Sequence, residues 1–336
     1  MINQLLLGRA MFSRILGVGL PLMLMTACTP YIQRTGESLQ SPTLETMRFI
    51  AADGESLPMR IWLPEGEPHS IVIGVHGFND YSRAFAKVGA YLAQQGIAVY
   101  AYDQRGFGAT QQRGRWPGVE LLVKDLRGFI QAVGTHHRNR PLYLLGESMG
   151  GAVAMAALAG DDAPLVDRLI LVAPAVWGGQ SLNSWYRSLL WVSAHTLPWL
   201  KVTGSSLKIK ASDNREMLKR MRADPLIIKE TRIDALYGMV QLMDKARKII
   251  PQVHMPTLVL YGGQDQVIPE RPICHLLEEL PGPHSVAFYP TGYHMLLRDR
   301  EAERVWQDLV EWLQVPVWAL SSRIPARCLP LLAQTG

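Results

Sequence analysis

Leu142-Tyr143-Leu144-Leu145-Gly146-Glu147-Ser148-Met149-Gly150-Gly151-Ala152 is the stretch that decides how this chain folds. An apolar run, a G-x-S-x-G turn and a run of small residues read as strand, tight turn and helix, with a serine at the apex. Gly146 and Gly150 lack a β-carbon, so strand and helix can approach closely enough to hold a strained turn. Ser148 then stands at the positive end of the following helix, where a substrate reaches it. The bare pattern also occurs as an ordinary Gly/Ser turn. The strand before it and the small residues after it are what point to a nucleophile.

A serine hydroxyl is a weak nucleophile at neutral pH, so it needs a base, and the base needs an orienting acid. Downstream, Thr257-Leu258-Val259-Leu260-Tyr261 is a β-branched apolar run that ends in Gly262-Gly263-Gln264-Asp265. Asp265 is therefore expected just past the carboxyl end of a strand, on the same rim as Ser148. The next strand, 286–289, is followed by Pro290-Thr291-Gly292-Tyr293-His294, which places His294 one loop further along. Asp244 and Asp299 are weaker candidates because both fall in expected helices, where a carboxylate is usually solvated. His136 and His137 sit at a helix end beside Arg138, a capping or surface setting. His254, His275 and His284 lie near element ends without a matching acid loop.

Acyl transfer also needs donors for the oxyanion. One is expected from the backbone N–H of Met149, the residue after the nucleophile, and one from the loop after an earlier strand. The strand 71–75 runs into His76-Gly77-Phe78-Asn79-Asp80, so the Phe78 amide is the expected second donor. His76 precedes the turn and reads as a residue bracing the loop rather than as a base.

Five motifs together carry a family resemblance: Val75-His76-Gly77, Tyr102-Asp103-Gln104-Arg105-Gly106-Phe107-Gly108, Gly146 to Gly151, Gly262-Gly263-Gln264-Asp265 and Gly292-Tyr293-His294. In this order and spacing, over residues 45 to 314, the chain resembles the monoacylglycerol lipase and lysophospholipase branch of the α/β-hydrolases, the serine aminopeptidase-like group. The resemblance implies Ser148 as nucleophile, Asp265 as acid, His294 as base, and Phe78 and Met149 as oxyanion donors. It also implies Asp103 and Arg105 as structural residues beside the site. The third residue of the oxyanion motif departs from the His-Gly-Ala of eukaryotic relatives: Phe78 leaves the backbone donor intact and changes the shape expected of the acyl pocket. The implied fold is an eight-stranded, mostly parallel sheet with helices on both faces and a helical cap inserted after the sixth strand.

The chain supports that architecture independently. Strands are expected over 47–50, 59–63, 71–75, 98–102, 142–145, 169–172, 258–261 and 286–289, and helices over 84–95, 119–133, 149–158, 272–280 and 301–312. Such alternation implies a parallel sheet covered on both sides. The body then comprises 45–173 and 251–314. No clear strand is expected over 174–250, which reads as the cap and carries Trp177, Trp185, Trp191 and Trp199 followed by a basic helix. Those tryptophans are expected either to pack the cap onto the body or to line an acyl pocket. Residues 315–336 form an extension that covers the body's edge or stays loose.

With 48% apolar and 19% charged residues, the composition is that of a well-buried globular chain. A net charge of +5 with no aromatic-interleaved basic stripe argues against nucleic-acid binding. No ligand cluster has metal spacing, and Gly106-Phe107-Gly108 lacks the rest of a dinucleotide fingerprint, so neither a metal nor a cofactor is expected. Cys274 lies among Ile273, Leu276 and Leu277 at helical spacing, which favours a buried thiol over pairing with Cys328.

The amino terminus is different in kind. Arg9 and Arg14 precede an apolar run over 15–25, and Thr26-Ala27-Cys28 follows. A basic region, a short apolar core and small residues form a secretory signal, and the core is short for a membrane span. Cysteine after Thr-Ala resembles a bacterial lipoprotein signal, with Met25 in place of the usual leucine. The resemblance implies lipidation of Cys28, a tether over 29–44 and an outer-membrane location facing the periplasm. An uncleaved anchor and ordinary signal cleavage are the alternatives. The expected substrate is a monoacyl lipid or small ester. Peptidase, thioesterase and acyltransferase chemistry would use the same machinery, and a non-catalytic lipid-binding protein is the reading from another class.

Overall fold

A computed structural model describes residues 29–179, 183–204, 209–315 and Cys328. The apolar runs expected as strands form the centre of one nine-stranded sheet, in the spatial order β1-β2-β3-β5-β4-β6-β7-β10-β11. These are β1 (Thr43–Glu45), β2 (Arg48–Ile50), β3 (Ser56–Trp62), β4 (Ser70–Val75), β5 (Ile97–Tyr102), β6 (Leu142–Glu147), β7 (Arg168–Val172), β10 (Thr257–Gly262) and β11 (His284–Tyr289). From β5 to β11 every pairing is parallel. The first three strands add antiparallel at one edge. The sheet thus has nine strands rather than eight, because Thr43–Glu45 is too short to leave a period in the sequence. The expected sixth strand is β7 in this numbering.

Strands β4, β5, β6 and β10 are buried along their whole length, as a sheet covered on both faces requires. Alternate residues feed two cores. Ile71, Ile73 and Val75 pack on one side with Tyr100, Tyr102 and Leu144, while Val72, Val99 and Leu145 pack on the other. The first core is closed by helices α2 (Val119–His136), α3 (Met149–Ala157), α6 (Ile233–Ile249) and α7 (Glu270–Glu279). The second is closed by α1 (Ala86–Gln94) and α8 (Ala302–Gln314). Helix α3 is buried at every position, with alanines and glycines throughout, so it can lie against the sheet and against α2 and α6 at once.

The insertion after β7 holds α4 (Ser184–Thr196), α5 (Arg215–Ala223) and α6, plus a ribbon of β8 (Lys201–Val202) against β9 (Thr231–Arg232). Two residues per strand carry no alternation, which is why the sequence shows no strand here. Trp185 and Trp199 face outward, while Trp191, also about half exposed, stacks on His195 and lines a shallow pocket between α4 and α6 with Arg187 and Tyr237.

Cys274 and Cys328 form a disulfide, with Cα atoms 5.5 Å apart. This corrects the expectation of a free buried thiol. Burial was read correctly, since both residues are nearly inaccessible. Pairing depends on Cys328 lying against α7, and no local pattern around Cys328 signals that contact. Cys28 and the signal-like segment lie outside the described residues.

Candidate active site

Strand β6 ends at Glu147 and helix α3 begins at Met149, leaving Ser148 alone to make the turn. Its backbone has φ 54° and ψ −116°, a conformation that costs a non-glycine residue about 1–3 kcal/mol. Neighbouring groups hold it there. Ser148 donates its N–H to Val172, and its carbonyl accepts from Gly151 and Ala175. A β-carbon on Gly150 would lie 1.9 Å from the Val75 carbonyl oxygen, and one on Gly146 would lie 2.5 Å from Gly151 Cα. Both glycines of the motif are thus demanded by close backbone approach.

The three residues expected to act together meet. His294 Nε2 lies 3.0 Å from Ser148 Oγ, and His294 Nδ1 lies 2.8 Å from Asp265 Oδ2. The Asp265 side chain is fully buried, and its other oxygen accepts from the backbone N–H groups of Val267 and Ile268. An acceptor-only carboxylate makes Nδ1 the protonated nitrogen, which leaves Nε2 free to accept the serine hydroxyl proton. This relay can transfer a proton from a nucleophilic oxygen.

The loop carrying His294 is pinned from several sides. Tyr293 donates its N–H to Asp299 at 2.7 Å, and Ser212 Oγ–H donates to the other Asp299 oxygen at 2.5 Å. Met295 donates to the Ala211 carbonyl, and Lys210 Nζ donates to Tyr293 Oη at 2.8 Å. Asp299 therefore is not a solvated helical carboxylate, as expected from sequence. It follows a short 3-10 turn, Leu296–Arg298, and burial raises its pKa against the pull of these hydrogen bonds.

On the oxyanion side, Gly77 faces the nucleophile directly: a β-carbon there would lie 3.4 Å from Ser148 Cβ. His76 braces this loop as expected. Its Nε2 accepts from the Gln104 backbone N–H at 3.0 Å, so Nδ1–H donates to the Gly77 carbonyl at 2.9 Å. Complete burial depresses its pKa and keeps the ring neutral for this pattern. The Phe78 ring meets Phe107 and Trp116 edge-on, so the unusual third residue of the motif is packed into the rim. Asp103 accepts from Ser82 and Ala109. Arg105 bridges Asp53 and Asp125, both at 2.6 Å.

Sequence reasoning missed one element. The Arg298 guanidinium donates to Asp80 Oδ2 at 2.6 Å and to Glu147 Oε2 at 3.0 Å, all three side chains being nearly inaccessible. Asp80 stands two residues after Phe78, Glu147 directly before Ser148, and Arg298 four residues after His294. One buried cation thereby staples the three rim loops together. Burial pushes the Glu147 carboxyl up, with Arg298 opposing and Asp80 adding to the rise. The one local sign is Glu147 itself, an ionisable residue at the variable position of G-x-S-x-G after an apolar strand; nothing local marks its partners.

Elsewhere, Glu270, Cys274 and Cys328 converge. Both sulfurs are tied in the disulfide and offer no thiolate to a cation.

The family model of serine aminopeptidase, S33, matches residues 66–301, well over half of the chain. Monoglyceride lipase of Rattus norvegicus is 25% identical over 299 residues, covering 86% of this chain and 95% of its own. Monoacylglycerol lipase of Mycolicibacterium smegmatis is 24% identical, covering 81% and 98%. Among solved structures, Paleococcus ferrophilus monoacylglycerol lipase superposes with a TM-score of 0.66 at 25% identity, covering 76% of this chain and 98% of that one. A soluble variant of Saccharomyces cerevisiae monoglyceride lipase superposes with a TM-score of 0.68 at 18% identity, covering 85% and 98%. The chain belongs to the serine aminopeptidase S33 family, in the branch of the α/β-hydrolases that resembles monoacylglycerol lipases, and is a serine hydrolase.

Proposed function

We propose that this enzyme is a lipid-anchored carboxylic-ester hydrolase that cleaves monoacyl lipids of monoacylglycerol or lysophospholipid type through an acyl-enzyme. The observation that carries the reading is the unbroken relay from Ser148 Oγ through His294 to Asp265, at 3.0 and 2.8 Å. Ser148 attacks the ester carbonyl as His294 Nε2 takes its proton, and Asp265 stabilises the imidazolium. The Phe78 and Met149 amides receive the negative charge that develops on the carbonyl oxygen. Fixed amide dipoles suit this task because they have no protonation state to lose. The tetrahedral intermediate collapses, His294 protonates the departing alcohol, and a water activated by the same imidazole releases the fatty acid. The relatives named monoglyceride lipases support the substrate class.

Anchoring through Cys28 and an envelope location complete the reading. The Cys274–Cys328 disulfide favours it, because such bonds persist in oxidising compartments. Ser148→Ala is expected to lower turnover of a p-nitrophenyl acyl ester by several orders of magnitude, since triad members act as a unit. Near wild-type hydrolysis, or failure of the folded wild type to react with a fluorophosphonate, would overturn the hydrolase assignment. A panel of acyl esters, aminoacyl amides and acyl-thioesters separates ester cleavage from its neighbours. Preference for the amide would move the enzyme to the peptidases.

A further inference from the structure

The loop that carries the second oxyanion donor is held by the cap as well as by the body. Gly77 to Asp80 form a turn closed by the Asp80 N–H on the Gly77 carbonyl at 3.3 Å, with Phe78 and Asn79 at its centre. Asn79 has φ 64°, in the left-handed region. Asparagine is one of the few residues with a β-carbon that enter this region, and it does so as a minor conformation. The turn therefore depends on whatever fixes Asn79.

Its partners lie on the cap. The Asn79 carbonyl accepts from the Ile228 N–H at 3.1 Å, and its side-chain amide donates to Thr231 Oγ1 at 2.7 Å. Thr231 is buried and pairs with Val202 in the two-stranded ribbon, which leads directly into α6. On either side of Asn79 the loop meets the cap again. Tyr81 Oη donates to Asp224 at 2.6 Å, at the carboxyl end of α5. The Phe78 ring packs on Trp116, and that indole lies against α6: a β-carbon on Gly238 would fall 2.2 Å from Trp116 Nε1. The body holds the same loop through the ion pair of Asp80 with Arg298. An amide stabilises an oxyanion only when its N–H already points to where the charge develops. If Asn79 relaxed to negative φ, the turn would change type and its peptides would rotate.

We propose that Asn79 is a positioning residue for the oxyanion: through Thr231 and Ile228 the ribbon side of the cap holds Asn79 at positive φ and thereby aims the Phe78 amide. The inference rests on the reading of Phe78 as an oxyanion donor. It gives the ribbon a part in the chemical step, since the donor is in place only while the ribbon is docked.

Full-length variants separate the parts of this contact. Thr231→Val keeps the shape and removes the acceptor, Thr231→Ser keeps the hydroxyl, and Asn79→Gly keeps access to positive φ while removing the amide. Thr231→Val and Asn79→Gly should each lower kcat for p-nitrophenyl butyrate about tenfold, the order expected for one hydrogen bond, with KM within about twofold. Thr231→Ser should retain most of the rate. A trifluoromethyl ketone supplies the readout that a merely structural role would not move. Ser148 Oγ adds to its carbonyl carbon, the hydroxyl proton passes to His294, and the former carbonyl oxygen becomes an oxyanion. Its affinity should weaken by the same factor as kcat, with active sites counted by fluorophosphonate labelling. Combining Thr231→Val with Asn79→Gly should add little to either alone, because both remove one bond. Unchanged kcat, unchanged ketone affinity or additive losses in the double variant overturn the proposal. A folded wild type that fails to react with the fluorophosphonate overturns the hydrolase assignment itself, and the proposal falls with it.

Discussion

The catalytic rim and the cap are built by opposite rules. Around Ser148, His294 and Asp265 nearly every polar group is buried and held by partners from other loops. Among the described helices of the cap only α6 joins the core; α4 buries one residue and α5 buries none. The rim must hold reacting atoms to within about 0.5 Å, and only side chains locked by their neighbours achieve that. Under the proposed function the cap would meet a flexible acyl chain, for which apolar area matters more than fixed position. Precision is concentrated where bonds break.

The largest test of this contrast is Arg298→Met. Removing one partner of a buried ion pair strands the others, at a cost of about 3–5 kcal/mol. The expected result is a lower melting temperature together with a fall in kcat of about a hundredfold and little change in KM. Arg298→Lys should restore part of the stability and little of the kcat, since an ammonium cannot fork between two carboxylates. If kcat survives Arg298→Met, the staple is not what aligns the rim.

Cys274→Ser with Cys328→Ser serves as a control remote from the relay. A bridge across 54 residues should contribute about 2–4 kcal/mol. Unfolding is expected at lower denaturant, with ester turnover unchanged. Lost turnover would tie the extension to the rim.

For the cap, Trp185→Ser with Leu189→Ser and Trp191→Ser should leave p-nitrophenyl butyrate turnover within twofold. Hydrolysis of a long-chain monoacyl ester should fall about fivefold. Equal losses on both esters would mean that the cap shapes the relay itself, and the contrast would fail.

The smallest effect concerns pH. Burial raises the Glu147 pKa in the folded enzyme above its unfolded value. The folded state therefore holds this proton more tightly, and the associated stability is lost as pH rises from the ordinary carboxylate range through the raised value. Glu147→Gln removes this titration. The melting-temperature difference between variant and wild type should shift in the variant's favour as pH increases across that window. A difference independent of pH would place the Glu147 pKa near its unfolded value.

Most of the rim was legible because strand ends announce themselves. Apolar runs stopping at Gly146, Gly262 and Pro290 locate Ser148, Asp265 and His294 without any knowledge of packing. The staple was not legible, since Asp80, Glu147 and Arg298 are separated by 67 or more positions and carry no shared period. Asp299 was equally illegible: it follows the 3-10 turn Leu296–Arg298, and its partner Ser212 lies 87 positions away, so no local pattern shows its burial or its hydrogen bond.

The chain by itself determined the chemistry and the sheet. A strained serine needs glycines at fixed positions, and buried parallel strands need continuous apolar runs, both of which are local properties of the sequence. Only the tertiary structure decided what depends on return of the chain. Cys328 reaches Cys274, Arg298 reaches Glu147, Tyr31 reaches Asp234, and Trp185 of α4 turns outward. Local pattern states which residues prefer burial or charge. Which of them meet is fixed by packing the whole chain, because contact between distant residues is a property of the fold and not of any window along it.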